Sequence, residues 1–301
     1  MNIPFIKYRK VFYTISLVLI GLSLASILVF GLKLGIDFTG GSVLEVEYEE
    51  ERPSIQLIQE KLRELDSEEI TAQPVGEKGV ILKTKSTSEN AYSEVVKKLE
   101  EFGKIKEGSS QFEIIGPIIG KELKEKTKIV VILSLMAIVF YIAFAFRRIS
   151  KPVNSFGYGL VSLIALSHDV LIPLAFFSVL GELYEIQITI PVVAALLTVL
   201  GYSINNSVVV FDRARENLLK LREPSFGLVI NKSLNETLTR SMNTSLTTLF
   251  VLLAIFFLGG ETLKYFALAL ILGIGCGTYS SIFLVTPLLV SYLGWRERSL
   301  N

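Results

Sequence analysis

The sequence predicts a polytopic α-helical membrane protein with six transmembrane helices and a ferredoxin-like α+β extracytoplasmic domain between helices 1 and 2. Three observations carry this reading. The apolar residues collect in six blocks, each long enough to cross a bilayer. The Lys and Arg residues fall on alternate connections between those blocks. The one long polar segment shows strand and helix patterning in the order β-α-β-β-α-β.

The composition agrees. Of the 301 residues, 50% are hydrophobic and 20% are charged, and the mean hydropathy is +0.53. Ordinary soluble domains carry about 25% charge, so an average soluble globule is excluded. Disorder is excluded too, because disordered chains are poor in apolar residues. The net charge of +1 gives no electrostatic footprint for nucleic acid. A single cysteine, Cys276, rules out an intramolecular disulfide framework or a cysteine-rich zinc site.

The first block, residues 11–31, has no charge and follows Lys7, Arg9 and Lys10. A cleavable signal has a shorter apolar region, so this block reads as a retained anchor. The others are 128–146, 155–180, 188–211, 241–260 and 264–293. Helices are expected, because a spanning segment must pair its own backbone. Basic residues lie before span 1, between spans 2 and 3 (Arg147, Arg148, Lys151), between spans 4 and 5 (Arg213, Arg215, Lys220, Arg222, Lys232, Arg240) and after span 6. With six spans all four sets share one side, so both termini are expected in the cytoplasm. The expected divisions are 1–32 for the N-terminus and helix 1, 33–126 for the extracytoplasmic domain, and 127–295 for helices 2–6 with a cytoplasmic loop at 212–240. Residues 296–301 form a cytoplasmic C-terminus.

The near-zero net charge hides two pools. Residues 33–126 hold 20 acidic and 14 basic side chains, and the remainder holds 9 and 16. Within the acidic pool, 42–49 alternates as a strand, and 54–65 places Ile55, Ile58, Leu62 and Leu65 at helical spacing, with Pro53 in the first turn. Gly76-Glu77-Lys78-Gly79 marks a hairpin between 69–75 and 79–85. Residues 90–102 read as a second helix, with Tyr92, Val95, Val96 and Leu99 on one face, and 111–116 as the last strand. Such a module suits binding or coupling, and no nucleophile–base set occurs in it.

The chemistry is expected inside the membrane. An Asp, Lys or Arg at a helix centre costs about 2.5–3.5 kcal/mol on insertion scales, so such residues face a polar interior and mark ion or proton paths. Asp169 lies near the middle of span 3, with Ser162 seven residues earlier on the same face. It reads as a protonatable group, against the alternative of a structural carboxylate joining two helices. His168 is either its relay partner or a satisfied structural histidine. Span 4 carries Thr198, Tyr202, Asn205 and Asn206 as a polar stripe, for which helix-packing hydrogen bonds compete with a transport role. Asp212 and Arg213 follow at its interfacial end. Span 5 opens with Arg240, Asn243, Thr244, Thr247 and Thr248. Arg240 either snorkels to the interface or turns inward toward a carboxylate. The small residues of span 6, Gly273, Gly275, Gly277, Ser280 and Ser281, read as packing residues. No metal motif, phosphate loop or catalytic triad occurs, so neither an enzyme nor a cofactor is expected.

Three segments then carry a resemblance: LGIDFTGG at 34–41, GYSINNSVVVFDRARE at 201–216 and TRSMNTSLTTL at 239–249. Together they resemble the SecD/SecF family of protein-export membrane proteins, on its SecF side, over nearly the whole chain. The motif positions are Gly35, Asp37, Phe38, Gly40, Gly41, Gly201, Tyr202, Ser203, Asp212 and Arg213. The resemblance implies the resistance–nodulation–division fold, with SecD supplying the other six-helix half. It implies a place in the cytoplasmic (inner) membrane, among lipids, where the proton motive force helps a preprotein leave the SecYEG channel after the push by SecA. One feature departs from the family. Its motif ends in a carboxylate where this chain has Asn206, so the family's arginine, matched by Arg240, lacks its usual acidic partner. The expected proton-path residues are Asp169, Arg240, Asn206, Asn205, His168, Asn243 and Thr247. Two alternatives stay open: a non-conducting scaffold of the same complex, and half of a small-molecule or lipid exporter of the same superfamily.

Overall fold

The computed structural model describes residues 3–63, 70–84, 89–145, 155–220 and 225–299. The chain divides into two compact units, a helical unit of Met1–Lys33 with Val130–Asn301, and an α+β unit of Leu34–Ile129.

The α+β unit follows the patterning of its sequence. After a four-residue helical turn, α2 (Ile36–Thr39), come β1 (Gly41–Glu47), α3 (Ile55–Arg63), β2 (Thr71–Val75), β3 (Gly79–Thr84), α4 (Glu89–Glu100) and β4 (Gln111–Ile115). The four strands form one antiparallel sheet in the order β2-β3-β1-β4, the ferredoxin-like arrangement. Period-two alternation puts Leu44, Val46, Val80 and Leu82 on one face, where Ile58 and Leu62 of α3 and Val95 and Leu99 of α4 cover them. Pro74 is tolerated because β2 is an edge strand. Helix α3 begins at Ile55 rather than at Pro53. Ser54 sets the boundary, its hydroxyl accepting from Leu57 N at 3.3 Å. Leu65, and the Tyr92 side chain, lie outside the described residues.

The helical unit supplies the spans. Among the described residues, six helices are long and apolar enough to cross a membrane. They are α1 (Arg9–Phe30), α5 (Pro117–Ala145), α6 (Ser155–Tyr184), α7 (Ile190–Lys220), α8 (Phe226–Leu258), and α9 (Glu261–Ser280) continued by α10 (Thr286–Ser299). A π-helical turn at Ser281–Val285 joins α9 to α10. Helix α5 starts at Pro117, well before its apolar block, so its first turns belong to the α+β unit and its remainder to the helical unit. The expected loop at 212–240 is also mostly helix. Helix α7 runs on to Lys220 and α8 begins at Phe226. Polar residues extend both helices, because Asn217 donates to Ser233 Oγ (2.9 Å) and to Glu236 Oε2 (2.7 Å), giving the extensions a shared hydrogen-bonded seam. Arg147, Arg148, Lys151 and Arg222 lie outside the described residues.

Small residues let the helices close on one another. A Cβ on Gly277 of α9 would sit 2.9 Å from Ser203 Cβ of α7, and one on Gly273 would collide with Val199. Apolar side chains on the outside of the bundle, such as Leu17, Leu28, Phe140 and Phe250, are exposed. This is the surface a bilayer or an apolar partner covers.

Candidate functional site

Asp169 sits on α6 with no exposed surface, and its two carboxylate oxygens are held differently. Oδ2 accepts from Ser203 Oγ of α7 at 2.5 Å and from Ser280 Oγ at the end of α9 at 2.6 Å. Oδ1 lies 2.8 Å from His168 Nδ1. Three helices thus converge on one carboxylate. The π-helical turn follows Ser280 directly, and π-turns recur where a helix is re-aimed at a functional group. In this turn Ser281 Oγ donates to Thr278 O and Thr286 Oγ1 to Ser281 O, so the re-aimed backbone is satisfied by buried hydroxyls.

His168 is fully buried as well. Consecutive helical residues diverge by about 100°, yet the imidazole bends back to the neighbouring carboxylate. Its ring stacks on Tyr279 with centroids 5.9 Å apart and planes 23° apart. Nε2 is buried and has no hydrogen-bond partner among the described residues.

The stripe expected on span 4 divides. Asn206 is buried, and its Nδ2 has no partner among the described residues. Asn205 points outward and is exposed, as are Thr198 and Gly201. Tyr202 lies between, its hydroxyl 3.5 Å from Ser245 Oγ and from Thr248 Oγ1 of α8. Ser203, expected only as a motif position, is the residue that meets Asp169.

Arg240, Asn243 and Thr247 of α8 are all exposed. The threonine hydroxyls are spent on their own helix: Thr244 donates to Arg240 O, Thr247 to Asn243 O and Thr248 to Thr244 O, at 2.9–3.0 Å. Asp212 is exposed near the end of α7, and Arg213 bridges Glu216 (2.5 Å) and Glu236 (2.6 Å).

The LGIDFTGG segment lies in the α+β unit. Gly35 precedes α2, and its carbonyl accepts from Phe38 N and Thr39 N. Asp37 is in the first turn of α2, and Phe38 is buried. Burial pulls the Lys83 ammonium below its ordinary range, and the nearby Asp37 carboxylate opposes that shift. Gly40 (φ 75°) and Gly41 (φ 137°) adopt conformations that disfavour a side chain. A Cβ on Gly40 would lie 2.7 Å from Pro117 Cα, and one on Gly120 would lie 2.7 Å from Gly40 N. The paired glycines let the start of α5 press against the turn after α2.

Sequence reasoning missed Ser203 and Ser280 as carboxylate partners; Ser280 read as a packing residue. Their bonds to Asp169 join residues 34 and 111 positions apart, which no local spacing encodes. Ser162 shares the predicted face but makes no hydrogen bond among the described residues. Among the described residues no cluster of three or more His, Cys, Asp and Glu could hold a metal.

The sequence profile described as "Protein export membrane protein SecD/SecF, C-terminal" matches residues 94–295, and the one described as "SecD/SecF GG Motif" matches residues 25–51. The chain belongs to the SecD/SecF family. It is 39% identical to the protein translocase subunit SecF of Thermobaculum terrenum, over 96% of this chain and 94% of that one. Its identity to the protein translocase subunit SecDF of Thermus thermophilus is 37%, over 94% of this chain and 37% of that one. A crystal structure of SecDF from Thermus thermophilus, titled a translocon-associated membrane protein, superposes with a TM-score of 0.86 at 33% identity, covering 99% of this chain and 39% of that chain. A SecDF crystal structure in a super-membrane-facing form gives 0.71 at 31% identity. The chain thus spans about two fifths of the solved SecDF chains it matches. Membership of this family supports a role in protein translocation as a multi-pass membrane protein. The SecDF fusion supports SecD as the partner.

Proposed function

We propose that this chain is the SecF-type half of a SecD–SecF complex in the cytoplasmic (inner) membrane, where it uses the proton motive force to help preproteins leave SecYEG after SecA has pushed them in. Both termini lie in the cytoplasm and the α+β unit lies outside. The chain works without enzymatic chemistry or a cofactor. The observation that carries this reading is Asp169, a carboxylate with no exposed surface, held by two serines and a histidine inside a spanning helix. A proton falling through 100 mV releases about 2.3 kcal/mol. Neutralising such a carboxylate changes how strongly it holds three helices together, and so couples proton movement to helix packing.

The exposed polar groups support the partner assignment. Thr198 and Asn205 on α7, with Arg240, Asn243 and Thr247 on α8, are exposed in segments read as spanning. Polar side chains facing lipid are costly, and a SecD half covers them. The test is export in cells depleted of their own SecF. Asp169→Asn should lose the proton-driven part of secretion while SecD still co-purifies, and unchanged export would reject the assignment. Asn206 favours a second reading, a non-conducting scaffold, because an amide cannot carry a proton. Full proton-dependent export by the unmodified chain rejects that reading, whereas a gain from Asn206→Asp supports it.

A further inference from the structure

We propose that His168 is the relay through which Asp169 exchanges its proton; the inference rests on the reading of Asp169 as the proton-carrying group. It follows from the division of labour between the carboxylate oxygens. Oδ2 is occupied by two serine hydroxyls, at 2.5 and 2.6 Å. Serine hydroxyls neither gain nor lose a proton near neutral pH. Oδ1 faces the His168 imidazole at 2.8 Å, and imidazole is the side chain that both takes and gives a proton in that range.

The ring is held for this task. It stacks on Tyr279, whose hydroxyl donates to Phe12 O at 3.2 Å and accepts from Ser16 Oγ at 3.3 Å. That network fixes the imidazole against α1 and α9 and directs Nδ1 at the carboxylate. The opposite nitrogen, Nε2, is buried with no protein partner among the described residues. A buried polar atom left unpaired is costly, and buried water commonly satisfies such atoms. Nε2 is thus the atom at which a water-borne proton reaches the pair.

The step balances. In the resting state His168 carries its hydrogen on Nδ1 and donates it to the ionised Asp169. A hydronium ion arriving through water gives its proton to the Nε2 lone pair and is left as a water molecule. The Nδ1–H bond breaks, its electron pair stays with the ring, and that hydrogen moves to Asp169 Oδ1. One proton has entered, the ring is neutral again as its other tautomer, and Asp169 is neutral. Release reverses these bond changes after the helices around Asp169 have repacked and opened the pair to the opposite side of the membrane. This route passes on the α1 and α9 side of α6 and needs no acid at position 206.

The experiment uses the full chain with its SecD partner in proteoliposomes under an imposed pH gradient, with a lumenal pH dye. The variants are His168→Asn and Asp169→Asn. Asparagine keeps an N–H where Nδ1 stands, so it preserves the bond to Asp169 but takes up no second proton. His168→Asn should fold, retain SecD and lose proton flux by about 10²-fold or more, within the usual range for removal of a proton-transfer group. Wild-type flux in His168→Asn overturns the relay. If Asp169→Asn conducts like the wild type, or the wild type does not conduct, the carboxylate reading itself fails. Should His168→Asn not fold, difference infrared spectra of the wild-type protein decide. Loading of Asp169 with a switch of imidazole tautomer supports the relay, and loading without it overturns the proposal.

Discussion

Ser203 on α7 donates its hydroxyl hydrogen to Oδ2 of Asp169 on α6 over 2.5 Å. Gly277 makes room for it, since a side chain there would crowd Ser203 Cβ at 2.9 Å. The third residue of the Gly201-Tyr202-Ser203 run is thus tied to the carboxylate on the neighbouring helix, and its value is energetic as well as positional. Leaving a buried acceptor without one of its donors costs about 1–3 kcal/mol. Ser203→Ala should lower stability by about that amount, read as a drop in the thermal unfolding temperature of the purified protein in detergent. A change within error would show that the carboxylate does not depend on this donor.

Gly120 should resist substitution. Its Cβ would lie 2.7 Å from the Gly40 backbone nitrogen, and backbone cannot give way as a flexible side chain can. Gly120→Val is expected to cost about 1–3 kcal/mol through overpacking. Hydrogen exchange should show the loss in β1 and the first turns of α5, with α7 and α9 unaffected.

Tyr48 sets an alkaline limit on the α+β unit. Its side chain is buried, and burial pushes the phenol from 10 to about 12, with Arg52 pulling the other way. The folded state therefore holds the phenolic proton more tightly than the unfolded chain does. The stabilisation is fully present below pH 10 and is lost as pH rises from 10 through about 12. Tyrosinate absorbance and strand hydrogen exchange should change together in that window. Tyr48→Phe should flatten the exchange profile, while losing the bond from its hydroxyl to Leu99 O at 3.3 Å.

Asn217 anchors the seam between the extended ends of α7 and α8. It is buried and donates to both Ser233 and Glu236. Asn217→Leu should cost about 1–3 kcal/mol, because it strands polar partners at a buried position. Glu236→Gln should cost less, about 1 kcal/mol or below, since the Arg213–Glu236 pair is partly exposed and screened. Denaturation at low and high salt separates the two, with salt dependence expected only for the loss at Glu236.

Arg240 is exposed, so its replacement should leave the stability of the isolated chain within about 0.5 kcal/mol. Arg240→Gln should nevertheless reduce secretion while SecD still co-purifies. Normal secretion by this variant would remove Arg240 from the pathway.

Local pattern made much of the architecture legible. Val80 and Leu82 alternate, Ile58 and Leu62 recur at helical spacing, and both periods survive in the core they build. The connection at 212–240 is less legible, because α7 runs on to Lys220 and α8 begins at Phe226 through polar sequence. Arg213, Glu216, Asn217 and Glu236 are polar and also helical, since they satisfy one another across two adjacent helices. Asn205 and Asn206 show the same limit at the site. They are neighbours in sequence, yet about 100° of helix turn sends one to the surface and buries the other.

The sequence by itself determined that the chain crosses a membrane six times, that a βαββαβ module interrupts it once, and that a carboxylate lies where solvation is poorest. Those properties follow from runs, periods and single residues, which need only neighbours along the chain. Only the tertiary structure decided that Asp169 is held by Ser203 and Ser280, that His168 turns its Nδ1 to the carboxylate, and that Asn206 is buried while Asn205 is exposed. Those outcomes depend on how helices far apart in sequence rotate about their axes and how closely glycines let them approach. A one-residue change of rotation replaces every partner without altering the hydrophobic pattern.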